Sequence, residues 1–278
     1  MMRNRTEADA FRKGSSVVLS AIVVAATTLT ITVAALMFSD NILRVQLDAS
    51  EYEQAKNMLI TLADLVEDVS ASPLSAHYVR FNVRTSTPRF VSGIHDISVK
   101  VSGQASPVIV GKTGIIEVKG GSLVGTVSMN TLLGDDCLIV DDVSKPLARV
   151  YEHQTDGAWI TLDYSRVRVT SLGCFYYYDA GNNLSGYLNA VRIAFVNLTI
   201  GTTLGSGSLN IVVRSLTTEL TTAIIQSNDV TLSVVLDGDR TENLTINGLE
   251  TVMSGGVQKT VIGTILQVLI TDVVVTSQ

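Results

Sequence analysis

The residues able to do chemistry in this chain are few and scattered. His77, His95 and His153 lie far apart and share no metal-ligand spacing, so each reads as a structural or surface histidine. Gly111-Lys112-Thr113 has the end of a phosphate-binding loop, but position 106 is Ser where the loop needs Gly. The residues that follow alternate like a strand, not like a helix whose N-terminus would hold phosphate. Asp237-Gly238-Asp239 with Glu242 and Asn243 offers oxygens to calcium without the EF-hand spacing, and reads as a β-turn. Asp135-Asp136 and Asp141-Asp142 bracket Cys137–Val140 and could form a cation site at a sheet edge, or simply be solvated strand ends. No Gly-x-Ser-x-Gly elbow occurs, and no cysteine stands near a histidine in sequence. The expectation is a protein without catalytic residues, metal or cofactor.

Three other features concern recognition or modification. Cys137 and Cys174 would bridge in an oxidising compartment and stay free thiols elsewhere, and both outcomes remain open. Asn183, Asn197 and Asn243 head Asn-Leu-Ser/Thr sequons, with Asn183 best placed because it falls in an expected turn. Phe175-Tyr176-Tyr177-Tyr178 is the densest aromatic run. In a strand it splits between faces, leaving part of it to pack inward and part to meet a carbohydrate or a neighbouring subunit.

The elements that carry these residues fall into two textures. Ser15–Phe38 holds no charge, no Pro and no Gly, and as a helix it is roughly 36 Å long, enough to cross a hydrocarbon core. Residues 39–72 continue the helical pattern, now amphipathic. Tyr52, Ala55, Leu59, Leu62, Val66 and Val69 recur at spacings of three and four, and Pro73 marks the stop. From Pro73 onward the chain turns to short apolar alternations, and 20 of the 21 glycines lie there, between Gly93 and Gly263. The clearest strands are Ile97–Val101, Ile116–Lys119, Arg166–Val169, Tyr187–Ile200 and Val230–Leu236, with one or two more between Val261 and Val275. The fold class is α+β: a long N-terminal hydrophobic stem, then an antiparallel, sandwich-like β head over 73–278. A sub-boundary is conceivable near 179–185.

Charge orients the chain. Arg3, Arg5, Arg12 and Lys13 against Glu7 and Asp9 give residues 1–14 a charge of +2, and the chain's −6 less +2 leaves −8 beyond them. Basic residues before the apolar run and acidic ones after it place the N-terminus in the cytoplasm and the bulk outside. An acidic exterior excludes nucleic acid as a partner.

Arg12-Lys13-Gly14-Ser15, followed directly by the apolar run, resembles the class III (prepilin) signal of archaeal type IV pilins and their archaellin relatives. The resemblance covers roughly residues 11–70. It implies cleavage between Gly14 and Ser15 by a prepilin-type peptidase, and a stem that assembles with identical or sibling subunits. The glutamate common at the fifth mature position of bacterial pilins is Leu19 here, which points to the archaeal branch. Within the stem, Ser16/Ser20 and Ala21/Ala25 are small pairs four apart that allow close helix approach. The expected function is a subunit of a pilus-like surface filament. The alternative is a single-pass, membrane-anchored surface protein whose β-sandwich ectodomain binds a ligand.

Overall fold

The computed structural model describes residues 3–82, 86–125, 128–179, 184–203 and 208–277, with side chains left aside at 3–17, 82, 87, 179, 184 and 203. The chain forms two compact units, Met1–Asp48 and Ala49–Gln278. One helix, α1, runs from Arg3 to Ala71, so the polar triplet Ser39-Asp40-Asn41 is helical.

In the second unit, α1 presents its apolar stripe to a β core. All six expected stripe residues are buried, together with Met58 and Ala63 on its flanks. The helix ends where the local sequence cannot continue it. Ser72 donates its N–H to Val69 O, Pro73 follows, and Leu74 takes a left-handed φ of 61°.

Fourteen strands are described. The first sheet has the order β1 (Ala76–Asn82), β10 (Ser208–Ile225), β14 (Val257–Ser277), β9 (Leu184–Thr203), β8 (Val167–Asp179), β5 (Ile139–Val140), with β13 (Thr251–Ser254) paired to the start of β14. The second has the order β12 (Arg240–Ile246), β11 (Val230–Leu236), β2 (Thr87–Val101), β3 (Ile109–Lys119), β7 (Ala158–Asp163), β6 (Arg149–Gln154), β4 (Asn130–Leu133). Pairing is mostly antiparallel, as expected, but β9 and β14 run parallel along most of their length, as do β5 and β8 at two positions. The tail is one strand of 21 residues.

Two core clusters hold the sheets. One places the α1 stripe among Ile116, Val118, Ile160 and Leu162 of the second sheet and Val196, Leu198, Ile211, Val213, Val273 and Val275 of the first. The helix is therefore covered on two sides. The other joins the sheets directly through Ile97, Val99, Val101, Leu232 and Val234 against Val191, Ile193, Phe195, Leu266 and Val268.

Polar contacts fix the helix in this slot. The Glu67 carboxylate accepts the Leu147 and Ala148 N–H groups and a guanidinium N–H of Arg168. The wholly buried Tyr164 donates its hydroxyl to Ala63 O at 2.6 Å, and burial pushes its pKa upward, so it remains a donor at neutral pH. Lys56 bridges to Glu152 of β6 at 2.8 Å.

Leu62→Ala is expected to cost about 2–5 kcal/mol, because the surrounding sheets cannot collapse on the cavity. Glu67→Ala strands three donors and is expected to cost about 2–3 kcal/mol. Denaturant unfolding of the full chain measures both, and a loss under about 0.5 kcal/mol, the range of ordinary surface substitutions, would contradict this account of the helix slot.

Candidate functional site

The exposed apolar half of α1 is the most unusual surface in the described structure. In the first unit every described side chain from Val18 to Phe38 is exposed, including Leu19 at 66%, Leu36 at 65% and Phe38 at 73%. Such a run is long and apolar enough to cross a membrane, with a mean hydropathy of 2.2. Its threonines carry no cost there. Thr27, Thr28, Thr30 and Thr32 each donate a hydroxyl to the carbonyl four residues earlier, at 2.8–2.9 Å. Each polar group is thereby satisfied inside the helix. Ser20, Ala21 and Ala25 are exposed. Ser16 and the processing residues Arg12, Lys13, Gly14 and Ser15 lie on α1, within the stretch whose side chains are outside the described set.

In the head, three of the four paired aspartates are committed to partners. Asp135 takes Arg166 and Lys145, and accepts the Cys137 thiol at 2.7 Å. Asp136 takes Arg149 at 2.6 Å and Arg240 at 3.1 Å. Asp142 caps a turn through Ser144. The first two are thus ion-paired rather than solvated strand ends. The partner of Asp135, Arg166, is a fully buried side chain that also donates to the carbonyls of Cys137, Pro146 and Ala148. Nothing in the local sequence announced it, since its partners stand 18 to 31 residues away. Among the described residues no group of three His, Cys, Asp or Glu is placed to hold a metal ion.

Gly111-Lys112-Thr113 lies in β3, where it makes the crossing with β9. A Cβ at Gly111 would stand 2.8 Å from the Phe195 ring, and one at Gly114 2.5 Å from Val91 O. Thr113 is buried and its hydroxyl accepts Leu198 N–H at 3.3 Å. The glycines serve close packing of strands. Asp237-Gly238 forms the β11–β12 turn, both residues at positive φ. The Asp237 carboxylate accepts Asp96 N–H and contacts His95 Nδ1, each at 2.8 Å. His153 contacts Thr161 Oγ1, and His77 lies on the outer strand β1.

Cys137 and Cys174 are free thiols in this structure, and burial first of all raises the pKa of each. Asn243 is exposed on β12, whereas the Asn197 amide donates to Asp272 at 2.7 Å. A glycan on Asn197 would have to displace that bond. Asn183 lies outside the described residues. Tyr176 and Tyr178 are exposed at 58% and 67%, while Tyr177 packs beside Leu188, Ala190 and Ile265. The groove at the end of α1, about 380 Å³, has an apolar floor including Leu147, Val196 and Leu269. The guanidinium groups at its side are engaged, Arg168 with Glu67 and Lys145 O, Arg192 with Gln267.

Several carboxylates titrate low for local reasons. The Cys137 thiol, then Lys145 and Arg166, hold Asp135 down against the opposing effect of its burial. Lys119 and the Trp159 indole hold Asp156 down. A group whose folded pKa is depressed stabilises the fold above its unfolded value, about 3.9 for Asp. That contribution disappears as pH falls through the folded value. The urea midpoint is therefore expected to stay level on acidification to about pH 5 and to fall below about pH 4. Asp135→Asn should shrink the acid-side loss; a midpoint already falling between about pH 7 and 5 would contradict this origin.

No protein-family model matches the chain, no curated protein matches it, and no solved structure matches it.

Proposed function

We propose that the protein is a structural subunit of a type IV pilus-like surface filament, anchored by residues 15–38 and processed before Ser15. The observation that carries this reading is the apolar run Val18–Phe38, exposed along its whole described length with its threonine hydroxyls internally bonded. A surface of this kind requires lipid or other helices around it. The basic Arg12-Lys13-Gly14 before the run selects prepilin-type processing, and the small pairs Ser16/Ser20 and Ala21/Ala25 supply close-approach faces for sibling stems. Once cleaved, the chain passes from the membrane into a bundle of stems, its acidic β head outward. Lipid already solvates the stem, so selectivity between the two states comes from packing at the small residues. In this reading the head has no enzymatic role.

A second reading keeps the leader and makes the chain a single-pass surface binding protein; the exposed Tyr176 and Tyr178 favour it. N-terminal mass analysis of the chain from its native host separates the two. Filament processing yields a mature N-terminus at Ser15. Retention of Met1, with no higher assembly in the membrane fraction, overturns it in favour of the second reading.

A further inference from the structure

The first sheet ends at β8, and most of that edge is bare. β5 bridges only Val167 and Arg168. From Val169 to Tyr178 no strand lies on the outer side of β8 among the described residues. Every second residue there aims its N–H and C=O away from the sheet, which is the template for another strand.

Edges are ordinarily protected by charge, proline, shortness or bulges. The other outer strands follow that rule. β12 carries Arg240 and Glu242, β4 has four residues, β1 carries His77 and Arg80, and the part of β10 beyond β1 carries Glu219. Val169–Tyr178, VTSLGCFYYY, has no charge and no proline. Its one device is a bulge between Ser171 and Gly173, where Gly173 takes a φ of 87°. The bulge leaves Cys174–Tyr178 as the continuous open run. The rings there are held in place: Tyr176 meets the edge of Tyr187 at a centroid distance of 5.4 Å, and the Tyr187 hydroxyl donates to Ser254 Oγ at 2.6 Å. Tyr176 and Tyr178 share a face and are both exposed, and Phe175 is exposed on the other face.

We propose that this run is an interaction surface for the same run of a second copy of the chain, paired antiparallel about a two-fold axis at Tyr176. In that register Cys174 of one copy stands opposite Tyr178 of the other, and Tyr176 meets its own counterpart. Two-fold pairing sets every residue of the run against another residue of the same run. A single lysine or glutamate would meet its own image within four positions, and the run contains neither. The five uncharged, partly aromatic residues are thus self-complementary in charge as well as in backbone hydrogen bonding. The interface is isologous and closes at two copies, so it adds head-to-head pairs whatever the stems do.

The test uses the full chain in detergent, with Cys137→Ser throughout. One preparation keeps Cys174; a second carries Cys174→Ser with Tyr178→Cys; the two bear tags of different mass and are mixed in equal amounts. A short bismaleimide should join them into a mixed dimer at least tenfold more efficiently than it joins either preparation to itself, with nothing larger than a dimer. Thr222→Cys on β10 replaces the second preparation as the control and should give background coupling. Tyr176→Lys should reduce the mixed dimer at least tenfold with an unchanged unfolding midpoint; should that variant unfold, Phe175→Lys takes its place. Equal coupling in mixed and unmixed samples, equal coupling to Thr222→Cys, or coupling indifferent to both lysine variants overturns the proposal. An Ala25→Cys chain read in parallel reports stem contacts separately, so failure of the edge and failure of the stem assembly give different results.

Discussion

The helix slot is the contact on which the head depends. Tyr52 to Val69 supplies a stripe that no single sheet could cover, and the two sheets close on it from both sides. Without that stripe, Ile116, Val118, Ile160 and Leu162 would face Val196, Ile211 and Val273 across an empty layer about a helix wide, roughly 10 Å. The sheets do meet directly through their other cluster, but only where no helix intervenes. Glu67 and Tyr164 then set the depth and rotation of the helix, because each binds backbone groups that occupy one position only. A carboxylate half inside a core is tolerated here since it holds three donors that would otherwise be stranded.

Much of this was legible in the sequence, for identifiable reasons. The stripe was readable because helical periodicity is local, and the same holds for the stop at Pro73. Val230–Leu236 matches β11 to the residue because a strand alternating between faces and flanked by Asn228-Asp229 and Asp237-Gly238 has punctuation at both ends. The parallel pairing of β9 with β14 was not legible. Alternation reports which face a residue takes and is silent on the direction of its neighbour, and these strands are separated by four others in the chain. Arg166 and Glu67 were missed for a related reason. Their chemistry is supplied by carbonyls, N–H groups and carboxylates from remote turns, and backbone groups have no sequence signature.

Residues that looked like chemistry belong instead to the architecture. The glycines of Gly111-Lys112-Thr113-Gly114 sit where β9, and at Gly114 also β2, approach β3 too closely for a Cβ. A phosphate loop and a tight strand crossing make the same demand on the backbone, so the motif alone cannot distinguish them; the strand after it does. The paired aspartates likewise carry the charge of a cation site, and the structure meets that charge with guanidinium groups. Asp135 and Asp136 lie beside four cationic side chains, Arg166, Lys145, Arg149 and Arg240. A divalent ion there would have to displace those cations before gaining an oxygen ligand.

In the proposed filament reading, the stem's composition answers one requirement, that a helix with no apolar neighbours of its own among the described residues be acceptable both to lipid and to a helix bundle. Burying an unbonded hydroxyl in an apolar medium costs roughly 2–7 kcal/mol, which would exclude four threonines from either lipid or a helix bundle. Back-bonding to the i−4 carbonyl removes that cost in both. It also shortens the effective side chain, leaving a methyl group outward. The run therefore presents methyls, small alanine and serine faces, and larger aliphatics, with no threonine hydroxyl left to require water. Leucine in place of those threonines would suit lipid as well but would keep neighbouring helices further apart. Threonine satisfies lipid while preserving close approach, and its concentration in residues 27–32 is what the proposed passage from membrane to filament would need.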